Sequence, residues 1–288
     1  MKKYKLFRPR IRSRHPSHSQ LRPKYKKLLL LPFRSIIRFG SFTELKDNEV
    51  NKKRIEVNSV SSIKNSANKL LMKQKFATNN IKTAIWFKYN NNQQLFIDQN
   101  TNEQININEL PYPIISKHIK GSRGIGNVKH DNVDALQRWM INKNFNNYIF
   151  EKYYNYVREY RLHVDSEGCF YSCRKMLKSD SPQEHRWYRN NDYCVWIMED
   201  NDLFDKPVNW EQIEIESVKA LKAVGLDVGA IDLRIQSATT NNEEKRENPE
   251  FIIVEINSAP SFGDVTLEKY IKQLPKILKR KKYESSRN

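Results

Sequence analysis

A chain of 288 residues is long enough for about two domains and a sizeable core. It carries 51 Lys and Arg against 33 Asp and Glu, a net charge of +18, but residues 1–28 hold eleven of the basic residues and no acid, so the body is only moderately basic. The apolar run at residues 28–31 is too short for a membrane span or a signal sequence. The odd set Cys169, Cys173 and Cys194 fits reduced thiols in a cytoplasmic compartment, with zinc ligation as the lesser alternative.

Residues 1–32 read as a flexible basic arm. Pro9, Pro16 and Pro23 interrupt it and no apolar period runs through it. Such an arm binds nucleic acid or another polyanion through counterion release, or is a tail with no dedicated partner, or an organelle presequence. Residues 33–66 open the folded body as a short α/β segment, with a strand at residues 35–39 ended by Gly40. A helix follows over 66–78, with Leu70, Leu71 and Phe76 as apolar contacts, then a strand at 84–87 and an Asn/Gln-rich excursion at 91–110.

The stretch 113–128, PIISKHIKGSRGIGNV, is more informative. The chain has only eight glycines, and Gly121, Gly124 and Gly126 fall within six residues, after the short strand that carries Ile114, Ile115 and Lys117. Glycine exposes backbone amides and permits close approach, as a phosphate cradle requires; a mobile hairpin would also fit. The order is neither a Walker loop nor a dinucleotide fingerprint. Lys117 adds a fixed cation beside the same loop. A helix over 131–143 then buries Val133, Leu136, Trp139 and Met140, and an apolar strand over 148–153 ends in Glu151-Lys152-Tyr153.

Strands at 158–164 and 169–176 form a hairpin turned at 165–168, with Glu159, Arg161 and His163 on one face. Segment 178–209 is polar, contains Trp187, Tyr188 and Trp196, and reads as a loop over a site. Residues 211–224 make an amphipathic helix, and 230–237 and 251–258 are strands joined by a polar loop. Alternation places Asp232, Arg234 and Gln236 opposite Ile231, Leu233 and Ile235, and puts Glu255 and Asn257 opposite Val254 and Ile256. If the two strands pair, Asp232, Glu255 and the Asn257 amide oxygen make a magnesium site; half-exposed strands with solvated charges give the same pattern. A last helix over 265–280 uses Leu267, Tyr270, Ile271, Leu274 and Ile277.

From Ile37 to Leu278 these pieces, in this order, resemble the ATP-grasp superfamily, and within it the carboxylate-amine ligases such as D-alanine-D-alanine ligase and the glutamate-adding ligases. The resemblance rests on Asn68-Lys69, on Lys117 with Gly121-Ser122-Arg123-Gly124-Ile125-Gly126, on Phe150-Glu151-Lys152-Tyr153, on Glu159-Tyr160-Arg161, and on Asp232 with Glu255-Ile256-Asn257-Ser258-Ala259-Pro260. The ending EINSAPSFGDVTLEKY is similar to ATP-grasp proteins of phages and large viruses, for which the compartment is the host cytoplasm. Three positions depart from the pattern: Asn68 stands for an aspartate, Ser261 for a glycine, and Ala230 for an arginine of D-alanine-type ligases. The last removes an oxyanion-stabilising group, so that enzyme's acceptor chemistry does not carry over.

The resemblance implies an α+β fold in which two α+β subdomains, 67–150 and 151–288, clamp ATP. It implies ATP and magnesium, with manganese as a substitute, as cofactors. Lys69, Lys117, Gly121, Ser122, Gly124 and Gly126 would hold phosphates, Glu151, Lys152 and Tyr153 the adenine, and Glu159 the ribose. Asp232, Glu255 and Asn257 would hold the metal, and Arg161 and Arg174 the acylphosphate or the carboxylate substrate. The implied activity is amide formation between a small-molecule or peptide carboxylate and an amine. The alternative is a non-catalytic or weakly ATPase nucleotide-binding module whose basic arm binds nucleic acid or another polyanion.

Overall fold

The computed structural model describes residues 6–13, 15–21, 30–45, 54–121, 124–189, 191–237 and 242–287. The chain is built on three sheets. β1 (Arg10–Ser13), β2 (Ser35–Phe39) and β3 (Ile55–Val57) form a small parallel sheet in that order. After it come α1 (Val60–Ala67) and α2 (Lys69–Thr78). The Asn68 side chain between them accepts from the amides of Leu70 and Leu71, satisfying orphan donors at the start of α2.

The second sheet is antiparallel, in the order β6-β5-β4-β9-β7-β8. Its strands are β4 (Trp86–Asn90), β5 (Leu95–Asp98), β6 (Gln104–Ile105), β7 (Ile114–His118), β8 (Val128–His130) and β9 (Tyr148–Lys152), and α3 (Val133–Met140) covers one face. Leu136 of α3 packs there on Phe87, Ile114 and Phe150, so the opposite face, with Trp86, Lys117 and Glu151, is left for the site.

The third sheet, also antiparallel, has the order β12-β11-β10-β13-β14. It contains β10 (Arg158–Asp165), β11 (Cys169–Leu177), β12 (Cys194–Met198), β13 (Val228–Ile235) and β14 (Phe251–Asn257). α4 (Trp210–Val224) lies across it, burying Ile213, Leu221 and Val224 on Leu162, Ile231 and Leu233. Met72 and Phe76 of α2 and Ile63 of α1 join this same core. α5 (Asp264–Glu284) returns to the first sheet, where Tyr270, Leu274 and Ile277 pack on Ile37, Phe39 and Val57.

Part of the segment read as a flexible arm is built into the fold. β1 pairs in parallel with β2, a 3-10 turn follows at Pro16–Leu21, and Leu21 is completely buried in the core under α5. Local sequence could not show this, because the segment's apolar contacts are supplied by residues far along the chain. Residues 1–5, 14 and 22–29 of the arm lie outside the described residues. The excursion at 91–110 carries β5 and β6, and the polar segment 178–209 carries β12. Among the described residues no helix is long and apolar enough to cross a membrane.

Candidate active site

Strand pairing brings the expected metal residues together. Arg161 on β10, Asp232 on β13 and Glu255 on β14 are direct cross-strand neighbours. One bulge adjusts the register: Asp232 pairs with Glu255 and Leu233 with Ile253, leaving Val254 without a partner. Ile253 and Ile256, three apart, therefore both reach the core, while Glu255 and Asn257 stay on the site face.

Arg161 grips Asp232 at two points, Nε to Oδ1 at 2.6 Å and Nη2 to Oδ2 at 2.8 Å. The Asn257 amide donates to Asp232 Oδ2 at 2.9 Å and to Glu255 Oε1 at 3.2 Å. Burial pushes the Asp232 carboxyl up, and Arg161 opposes that shift. Among the described residues no three His, Cys, Asp or Glu side chains gather around one point. Two carboxylates and an amide are nonetheless a hard-oxygen set suited to magnesium, which completes its shell with water and phosphate oxygens. A cation between the carboxylates would favour the Asn257 amide oxygen in place of its NH2 group.

On the second sheet, the Glu151 carboxylate is shared by two buried lysines, Lys117 at 2.6 Å and Lys73 at 3.3 Å. Glu151 thus turns its side chain onto these cations. Lys73 also donates to Thr83 Oγ1, which donates to the Ile253 carbonyl at 2.8 Å and ties this cluster to β14. Burial lowers Lys73 from 10.5 to about 8, with Glu151 opposing. Two cations on one carboxylate leave a buried positive charge that an anion would neutralise.

Lys69, at the first position of α2, donates to the Gly121 carbonyl of the glycine loop. Burial lowers its pKa, and Glu255, Lys117 and Glu151 all act on it, so it stands between the two clusters. Gly124 and Gly126 have φ of +77° and +80°, and a Cβ on Gly121 would sit 2.6 Å from the Ile125 carbonyl. The loop's path therefore requires these glycines. Ser122 and Arg123 lie outside the described residues. Lys152 stacks over Tyr154 and Lys129 over Tyr153, at 5.4 and 5.2 Å from the ring centroids.

Glu159 shares the face of Arg161 but is enclosed by cations: Arg234 at 3.0 Å, Lys175 at 3.6 Å and Arg189 at 3.7 Å. Arg174 is not brought to the site. It pairs with Tyr160 on the opposite, helix-covered face, donating to the Leu203 carbonyl at 3.0 Å and meeting Asp205 at 3.3 Å. On β11 the site face carries Lys175, one position on and opposite Glu159, and Cys173, opposite Arg161.

Lys73 was missed from sequence. Lys73 lies one helical turn after Lys69, and that i, i+4 spacing was its available signal. Trp196 lies under Arg161, 4.8 Å from ring centroid to guanidinium, on a strand read as loop. His163 accompanies Arg161 on β10; burial holds it neutral down to about 3, and its Nδ1 lies 3.1 Å from the Tyr270 hydroxyl.

No family model and no curated protein sequence matches the chain. Solved structures do. D-alanine–D-alanine ligase from Bacillus anthracis complexed with ATP superimposes with a TM-score of 0.61 at 12% identity, covering 96% of this chain and 98% of that one. A biotin carboxylase complex from Campylobacter jejuni gives 0.54 at 17% identity, over 85% of this chain and 54% of that one. Carboxyaminoimidazole ribonucleotide synthase from Aspergillus clavatus complexed with ATP gives 0.50 at 14% identity, over 78% and 53%. The chain thus spans about half the length of the last two. The order of the sheets, the glycine loop between β7 and β8, and these superpositions agree that the chain has the ATP-grasp fold.

Proposed function

We propose that this protein is an ATP-dependent ligase that joins a carboxylate to an amine through an acylphosphate. The observation that carries the reading is the pair of facing clusters: excess positive charge at Lys73, Lys117 and Lys69, and carboxylate oxygens at Asp232 and Glu255, with Lys69 between them. ATP would lie with its phosphates bridging the two.

A carboxylate is a poor electrophile at neutral pH. Its oxygen attacks the γ-phosphorus, the bond to the leaving ADP oxygen breaks, and an acylphosphate results. The amine then attacks the acyl carbon, expels phosphate and loses a proton. Phosphoryl transfer asks for charge neutralisation and in-line placement, not covalent help from the protein. Lys73, Lys117 and Lys69 bind and orient phosphates, and the glycine-loop amides close over them and exclude water. Asp232, Glu255 and Asn257 would hold magnesium, or manganese, which neutralises phosphate charge when bound. Arg161 would meet the transferring phosphoryl group or the substrate carboxylate. Glu159 takes the ribose hydroxyls by exchanging one of its cationic partners for them.

Hydroxylamine tests this. With a competent carboxylate, ATP and magnesium, it should intercept the acylphosphate as a hydroxamate, one ADP per product, detected by mass spectrometry across pools of small-molecule and peptide carboxylates. ADP release without hydroxamate or amide from any pool would replace the ligase with a nucleotide-binding module.

A further inference from the structure

The N-terminal turn reaches the connection between the metal strand and α5. His18 is completely buried, and its Nε2 lies 2.7 Å from the Pro260 carbonyl. A carbonyl can only accept, so Nε2 carries the proton and Nδ1 accepts from the Ser13 hydroxyl, its other neighbour. Burial holds the ring neutral to about 4, in keeping with that single tautomer. One residue earlier, Ser17 Oγ accepts from the Phe262 amide at 3.1 Å and is itself 2.7 Å from His15 Nδ1. Two Ser–His pairs thus hold the two backbone groups at 260 and 262.

The same connection is fixed from the other side. Gly40 ends β2 against Ala259, where a Cβ would stand 2.9 Å from the Ala259 Cβ. The His18 ring packs on Phe39 and Phe262 at 4.4 and 4.5 Å between centroids. Phe262 then packs on Tyr270, with ring centroids 4.4 Å apart and the planes tilted, and Tyr270 hydrogen-bonds His163, two residues from Arg161. Asn257, the amide that bridges Asp232 and Glu255, lies three residues before the carbonyl that His18 holds.

We propose that His18 is a positioning residue: with Ser17 it fixes the 258–263 connection, and through it the Asn257 end of the carboxylate cluster, making the N-terminal turn a working part of the metal site. The metal half of this rests on the ligase reading; the loop half does not. The test compares His18→Leu, which fills the space without a donor, with His18→Gln, which restores an N–H. Amide hydrogen exchange over 258–263 and Mn2+ affinity of the ADP-loaded protein, followed by electron paramagnetic resonance, are read alongside the unfolding midpoint. In His18→Leu, exchange at Phe262 and its neighbours should quicken about tenfold, as for one lost hydrogen bond. Mn2+ affinity should fall about tenfold, as when a partner behind a metal ligand is removed. His18→Gln should stay near the parent in both. Parent-like exchange and affinity in His18→Leu, or equal losses in the two variants, would overturn the proposal. A parent that binds no Mn2+ with ADP would remove the ligase reading, and exchange alone would then decide whether His18 fixes the loop. If His18→Leu does not fold, Ser17→Ala serves: faster exchange at Phe262 with weaker Mn2+ binding supports the proposal, and no change refutes it.

Discussion

Arg161 and Asp232 face each other across neighbouring strands in a two-point ion pair, with side chains 18% and 14% exposed. The guanidinium therefore occupies the carboxylate that a metal would need, and cation and arginine compete for it. Replacing Arg161 with Gln should tighten Mn2+ binding to the nucleotide-free protein. Stability should fall by about 1–3 kcal/mol, because Asp232 keeps a charge in a largely buried place without its partner. Resonance titration and urea unfolding measure the two effects; unchanged metal affinity would mean that the cation does not use Asp232.

Glu255 has the Asn257 amide and the field of Lys69 as its neighbours, and is the more available of the two carboxylates. Glu255→Gln keeps the shape and removes one negative charge beside the phosphates. Loss of preorganised electrostatic stabilisation of this kind is worth about 3 kcal/mol, so magnesium-dependent ATP turnover should drop about a hundredfold. Parent-like turnover would exclude Glu255 from the metal site.

Lys73 ties nucleotide binding to pH. Its folded-state pKa is lowered by burial to about 8 from 10.5. Unfolding then takes up a proton between those values, so for this group the nucleotide-free protein gains stability as pH rises through that window. Phosphate beside Lys73 reverses the shift, because a nearby anion favours the ammonium. ATP-analogue binding should therefore take up a proton most strongly near pH 9, about the middle of the window, and weaken as pH rises through it. Calorimetry in two buffers of different ionisation heat reads the uptake directly. Lys73→Met should abolish it.

The glycine loop has little room to vary. Gly124 combines a φ of +77° with a space in which a Cβ would lie 3.3 Å from the Tyr188 ring. Gly124→Ala should cost about 1 kcal/mol in the loop's conformation and weaken ATP-analogue binding by a similar factor. In the parent, hydrogen exchange over 124–127 should slow when the analogue binds; exchange indifferent to nucleotide would count against a phosphate role.

Much of the third sheet was legible because its residues obey a local rule. Alternation along 230–237 correctly put Asp232 and Arg234 opposite Ile231 and Leu233, and pairing did the rest. Arg174 shows the limit: two arginines were chosen by charge, yet strand parity puts only Arg161 on the site face. Glu151 was legible as a site residue but not in its orientation, since nothing local says that Lys73 and Lys117 will converge on it. The N-terminal turn was illegible for the same reason. His18 and Leu21 look like polar-tail residues until Pro260, Phe262 and α5 enclose them. What the sequence lacks at Glu151, His18 and Leu21 is a long-range partner, not a propensity.

Val254 has no partner on β13, so the pairing of Asp232 with Glu255 and of Leu233 with Ile253 does not depend on it. It adds a local bend and extra twist immediately beside Glu255, and so sets the angle from which that carboxylate meets Asp232. A bend of this kind comes from the number of backbone units and not from the side chain, which is only half-buried here. Position 254 should thus accept many replacements but not loss: over evolutionary time a lineage is free to change the letter there, and not the count.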